Sequence, residues 1–278
     1  MEFQKTPFKK RLGTMLKVDL RRMFKSRLFY ILLACALLVP IVMTVMLCMM
    51  DGQENVDPQT GEVTVMEGPE SVWESIGTFP VEAPVTQAPS EEVDVAAMGN
   101  MDVMAMCNIN MMFMAVAVFV CLFISDDFRS GYAKNLFTVR AKKGEYVVSK
   151  TVAGFLCGGL MLLLYFVGAM LGGAISGLSF DLGTLNAGNI LMCMLAKVLL
   201  ILVFVPIFVL ISVAAKQKAW LAICGSLGGG MLLFMMVGMI TPLNSTPIHV
   251  LLCLAGGALF AFGLGLASKK VLEKTSLV

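Results

Sequence analysis

Not one lysine or arginine occurs between residues 51 and 106, a stretch that holds twelve Asp or Glu residues. Other scarcities are equally restrictive. Charged residues make up only 14% of the chain, and histidine occurs once, at His249. A single histidine excludes an H-E-x-x-H site or any multi-histidine metal centre. No Gly-Lys dipeptide exists, so no G-x-x-x-x-G-K-[ST] loop can cradle nucleotide phosphates, and ATP hydrolysis is not expected of this chain. The eight cysteines, at positions 35, 48, 107, 121, 157, 193, 224 and 253, lie in or at the edge of apolar runs, so no disulfide framework is implied. The 21 Lys and Arg are scattered over short segments between those runs and form no stripe, which argues against nucleic acid as a partner.

What is abundant is apolar. Residues of that kind make up 58% of the 278, and the mean hydropathy is +0.85, which places the fold among all-α integral membrane proteins. Apolar runs at 28–50, 104–125, 151–178, 190–215, 220–240 and 248–268 are each long enough to cross ~30 Å of hydrocarbon at ~1.5 Å per residue. No small-residue cleavage site follows the first run, so it reads as a retained span and not a signal peptide. Residues 1–27 carry nine Lys or Arg against two acids, and residues 126–150 carry six. Lys216 and Lys218, then Lys269, Lys270 and Lys274, continue the alternation, whereas 51–103, 179–189 and 241–247 contain no basic residue. Short basic segments resist translocation, so six spans with both termini cytoplasmic, in the cell membrane, satisfy every loop.

Between residues 8 and 27, Phe8, Leu12, Met15, Leu16, Met23 and Phe24 recur at helical spacing among basic residues, which predicts an interfacial amphipathic helix. It would anchor on anionic lipid or lie along the membrane as an elbow before the first span. The acidic segment 51–103 contains Pro58, Pro69, Pro80, Pro84 and Pro89 and should be largely irregular, with a short strand pair around 62–66 turning at Gly61. In the third span, Gly154, Gly158, Gly159, Gly168, Gly172, Gly173 and Gly177 form a small-residue stripe suited to close helix packing or to a subunit interface. Pro40 and Pro206 should kink their spans. Lys197 is the one basic residue deep in an apolar run, and lies ~28 Å along the helix from Lys216, near the outer interface. It should snorkel, find a partner or face a substrate. Asn108, Asn110 and Lys197 are thus candidates for a substrate path.

The segment between the second and third spans is the most distinctive. It reads Asp126, Asp127, Phe128, Arg129, Ser130, Gly131, Tyr132, Ala133, Lys134, Asn135, Leu136, then Arg140, Lys142, Lys143, Tyr146, Ser149 and Lys150. An acidic residue followed by G-x-x-K/R-N-L and then R-x-x-x-x-Y-x-x-S/G-K resembles the ABC-2 type permease family at this place. The resemblance implies a six-span subunit whose loop forms a short helix docked on a separate ABC ATPase. It also implies pairing with a second copy or a related permease, and export of peptides, drugs or lipids. Asp126, Asp127, Phe128, Arg129, Gly131, Lys134 and Asn135 would then couple to the ATPase. An Asp pair suits a helix N-terminus, which points to a short helix over 128–139.

Other functions fit parts of the sequence. Ser176 and His249 both fall near the outer face, as in an intramembrane serine protease, but Ala174-Ile175-Ser176-Gly177 departs from the G-x-S-G of rhomboid-type enzymes. A non-transporting sensor or immunity subunit could use the acidic loop to attract cationic peptides. Seven methionines over 98–114, with Cys107, offer soft ligands of the kind copper(I) prefers.

Overall fold

The computed structural model describes residues 8–52, 54–56, 63–65, 69–76, 108–139, 142–182 and 186–274. Its helices are α1 (Phe8–Lys25), α2 (Arg27–Met50), α3 (Val72–Ser75), α4 (Met112–Arg129), α5 (Tyr132–Val139), α6 (Lys143–Ser176), α7 (Ala187–Ala215), α8 (Ala219–Ile240) and α9 (Pro247–Lys274). A 3₁₀ turn, Ile109–Met111, leads into α4. The strands β1 (Glu54–Val56) and β2 (Val63–Val65) pair antiparallel, Asn55 opposite Thr64. This is the strand pair that the alternation around residue 64 predicts; its turn lies outside the described residues.

Among the described residues, five helical segments are long and apolar enough to cross a membrane: α2, the turn with α4, α6, α7 and α9. A sixth helix, α8, is also apolar, most clearly over Ala219–Phe234. The architecture is an all-α membrane bundle in which α2 packs along α6, α9 along α7, and α4 contacts α6, α7 and α8. Its core is aromatic and aliphatic, with Phe113, Phe119, Phe204 and Phe208 almost completely enclosed. Apolar side chains such as Ile31, Leu232, Leu251 and Phe262 face outward, as lipid requires.

Some helices outrun their apolar runs. The third begins at Lys143 and not at 151, and the last continues to Lys274 and not to 268. Backbone hydrogen bonding does not stop at the edge of the hydrocarbon, and the extra turns of α6 bury Glu145, Tyr146, Ser149 and Lys150 against other elements. Residues 104–107 of the second predicted span lie outside the described residues.

The glycine stripe of α6 packs within the chain. A Cβ on Gly168 would collide with the Leu37 carbonyl oxygen and come within 2.6 Å of Pro40 Cγ. One on Gly158 would meet Val116 Cγ2 at 2.9 Å and Ile201 Cγ2 at 3.0 Å. Glycine at 168 thus lets the α2 backbone lie directly on α6. At the end of α6, Gly173 forms a socket for Val72. The neighbouring backbone joins in, with Val72 N donating to Ser179 O at 3.1 Å and Trp73 Nε1 to Asp181 O at 3.0 Å. Part of the acidic segment is thereby fixed to the bundle. The end carrying α1 and α5 is called the basic end below, and the end carrying α3 the acidic end.

Candidate coupling site

At the basic end, α1, α4 and α6 converge on three enclosed charges and a fourth, Arg22, that is partly exposed. Asp19 is the only acid in α1, and it falls on the same face as Met15 and Met23, four residues either side. That face is turned inward, so Asp19 is fully buried. Asp127, near the end of α4, is fully buried as well. Lys150 Nζ bridges them, 2.9 Å from Asp19 Oδ1 and 2.7 Å from Asp127 Oδ2. Arg22 Nη1 lies 2.5 Å from Asp127 Oδ1. Ser149 Oγ donates to Asp19 Oδ2 at 2.5 Å, and Tyr146 Oη donates to Asp127 Oδ2 at 3.0 Å. Aromatic rings enclose the cations: Lys150 Nζ sits 3.9 Å from the centre of Phe123, and Arg22 Cζ 4.2 Å from that of Tyr132.

The arrangement balances two carboxylates with two cations and satisfies both Asp oxygens on each side. Removing one partner from such a buried set costs about 3–5 kcal/mol, because the others stay enclosed without compensation. Burial works to lower the Arg22 pKa, but the Asp127 carboxylate and its hydrogen bond raise it above the ordinary value. The Tyr132 phenol is pushed up by burial and by Asp19 and Asp127. Nearby, Arg11 Nη2 pairs with buried Glu145 Oε1 at 3.0 Å, and Lys143 Nζ donates to the Leu272 carbonyl at 2.7 Å, so α1 and α9 both tie to the start of α6.

The expected helix over 128–139 is divided. Helix α4 runs on through Arg129 and closes at Ser130, whose amide donates to Asp126 O at 2.9 Å. Gly131 then turns with φ +73°, a left-handed backbone that glycine adopts without steric cost, and α5 starts at Tyr132. Asp126 and Asp127 therefore sit in the last turn of α4 and not at a helix start. The dipole disfavours carboxylates there, and the countercharge comes from Arg22 and Lys150. Asp127 and Phe128 are buried, whereas Asp126, Arg129, Lys134 and Asn135 are exposed around the α4–α5 corner. Arg140 lies outside the described residues.

A second polar cluster stands at the acidic end. Lys197 Nζ is completely enclosed and donates to Asn110 Oδ1 at 2.7 Å and to Thr241 Oγ1 at 3.0 Å. Asn108 caps the 3₁₀ turn by accepting from Asn110 N at 2.9 Å. Two of the three residues singled out as a substrate path are thus in direct contact and the third adjoins them. Lys197 finds partners and does not snorkel.

The protease pair is not joined. Ser176 Oγ has no hydrogen-bond partner among the described residues, and His249 Nδ1 engages Thr246. Residues 98–107, which hold Cys107 and much of the methionine group, lie outside the described residues, as do Glu91, Glu92 and Asp94.

Asp19 escaped the sequence reading, although its place between two apolar residues in an otherwise basic helix was a signal. So did the convergence of Tyr146, Ser149 and Lys150, the end of the quoted motif, on the two carboxylates. No match is found among curated proteins or among solved structures. The model of the ABC-2 family transporter proteins, in contrast, matches residues 75–232, more than half of the chain. That stretch contains α4, the α4–α5 corner, the Asp127, Tyr146, Ser149 and Lys150 members of the charge cluster, and Lys197, and the chain belongs to the ABC-2 family of transporter proteins.

Proposed function

We propose that this membrane subunit of an ABC transporter is an exporter subunit driven by a separate ABC ATPase chain that docks on the α4–α5 corner from the cytoplasm. The observation that carries the proposal is the division of labour at that corner. Asp126, Arg129, Lys134 and Asn135 are exposed there, while Asp127 beneath them is locked through Lys150 and Arg22 to α6 and α1. A push on the exposed face would reach three helices at once, which is what coupling requires. Asp127 acts in this scheme by holding the corner, and the exposed residues make the contact. A second copy or a related permease completes the path, and both termini are cytoplasmic. Peptides, drugs or lipids are the cargo classes in view, and the Lys197, Asn110 and Asn108 cluster, enclosed in this arrangement of the helices, would meet cargo near the outer face once the bundle opens there. Because α4–α5 is held from inside, the variant pair Lys134→Glu with Asn135→Trp should insert and melt as wild type yet lose the ATPase on purification. Full ATPase retention with full transport would show the corner to be an ordinary basic flank.

A further inference from the structure

A groove runs between the end of α1, the start of α2 and the outer side of α4. It holds two adjoining cavities of about 510 Å³ and about 250 Å³ that share Ser26, Phe123 and Asp126. Its origin is local: α1 stops at Lys25 and α2 starts at Arg27, and the break at Ser26 leaves room beside α4. The wider cavity is walled by Arg21, Arg22 and Lys25, with Val18 and Phe123 as apolar lining. The narrower one adds Arg129 on the polar side and Leu28 and Leu122 on the apolar side. Four cations therefore face one lining carboxylate, Asp126, which is 72% exposed and lies 3.8 Å from Arg22.

The narrower cavity contains a further polar group. Ser125 lines it, is buried, and its Oγ has no hydrogen-bond partner among the described residues. A buried hydroxyl without a partner is costly, and here it stands beside a cationic wall, so an acceptor oxygen on an anion fits it.

We infer that this groove binds the phosphate of an anionic phospholipid. Arg21, Lys25 and Arg129 surround the headgroup, Ser125 donates to a phosphate oxygen, and an acyl chain lies against Leu28, Leu122 and Phe123. The groove suits a lipid better than a free anion because Val18, Leu28, Leu122 and Phe123 give it an apolar wall beside the cations, and Tyr30 and Ile31 in the next turn of α2 are exposed. Arg22 contributes field more than contact, since its guanidinium is committed to Asp127. The site shares Arg129 and Asp126 with the corner proposed to meet the ATPase, so its test reads lipid binding apart from ATPase capture.

The test uses the full chain purified in neutral detergent, with short-chain phosphatidylglycerol, short-chain phosphatidylcholine and inorganic phosphate as probes. Thermal melting and native mass spectrometry are the readouts. Phosphatidylglycerol should raise the melting midpoint and remain bound in the gas phase, while phosphatidylcholine and phosphate at equal concentration should do neither. Arg21→Gln with Lys25→Gln, both exposed and outside the buried charge cluster, should leave the ligand-free midpoint unchanged and weaken phosphatidylglycerol about 10- to 30-fold. Ser125→Ala should weaken it further, whereas Lys9→Gln with Lys10→Gln, on the same helix away from the groove, should not. Equal stabilisation by phosphatidylcholine, a shift reproduced by phosphate alone, or equal loss in the Lys9 and Lys10 variant would each overturn the site. So would dependence of ATPase capture, and not of lipid binding, on Arg21 and Lys25. The comparison of the three probes on wild-type protein decides the matter even if a variant folds poorly.

Discussion

Asp19 of α1 and Lys150 of α6 meet at 2.9 Å with both side chains fully enclosed, so a helix outside the spans is joined to one of the spans by a desolvated ion pair. A surface pair of the same residues would contribute little, on the order of 0–1 kcal/mol. Enclosure changes the outcome, because each charge depends on the others for its solvation. The cluster therefore orders the basic end as a unit.

Lys150→Met should be more damaging than its size suggests. It leaves Asp19 and Asp127 buried with only Arg22, Ser149 and Tyr146, and a loss of about 3–5 kcal/mol is expected. Melting in detergent checks it. Adding Asp19→Asn to Lys150→Met should recover part of the loss, and a double variant no better than the single would show that the pair is not coupled.

Glycine at 168 is required by distance. Gly168→Ala should lower the melting midpoint through an overpacking cost of roughly 1–3 kcal/mol, since the added Cβ meets the α2 backbone and Pro40. Gly256→Ala in α9 is the control, because nothing lies within 4 Å of its added Cβ. Equal midpoints for the two variants would contradict the close approach of α2 to α6.

Lys197 and Asn110 should show coupling in a double-mutant cycle. Lys197→Met leaves Asn110 Oδ1 without its donor at a cost of about 1–3 kcal/mol, and Asn110→Leu leaves the buried ammonium with Thr241 as its remaining hydrogen-bond partner of the two. The double variant should be less destabilised than the sum of the two, by about 1 kcal/mol or more. Simple additivity would mean that the 2.7 Å contact contributes no coupling.

Orientation is open to labelling. In a cysteine-free background, Cys introduced at Ser90 should react with an impermeant reagent in sealed cells, and Cys at Ser276 only after permeabilisation. External labelling at 276 would reverse the proposed topology.

Much of this was legible in the chain. Apolar runs longer than 20 residues predict helices whatever packs on them, and the spacing of Leu12, Met15, Leu16 and Met23 gives α1 because its inward face is apolar. Lys197 is expensive enough in lipid that it had to snorkel, find a partner or face a substrate, but hydropathy cannot choose among these, because the choice rests on Asn110 and Thr241 arriving from other elements. The turn at Gly131 was harder to read, since Asp126 and Asp127 suit a helix start by their charge and only tertiary countercharge from Arg22 and Lys150 makes a helix end tolerable. The extension of α6 to Lys143 was hidden for a related reason. Hydropathy sees Glu145 and Lys150 as the edge of a span, whereas the fold encloses them by pairing them.

Helix α6 carries the Lys150 cluster on one turn and the Val72 socket at Gly173 on another, separated by ~35 Å of continuous helix. With α2 seated against it at Gly168, it has the stiffness of a double beam. A tilt of ~5° about its middle would carry each end by ~1.5 Å in opposite senses, so displacement at the basic end would arrive at the acidic end as a swing of the residues around Val72. Residues 69–76 are in this sense a pointer fixed to the far arm of a lever.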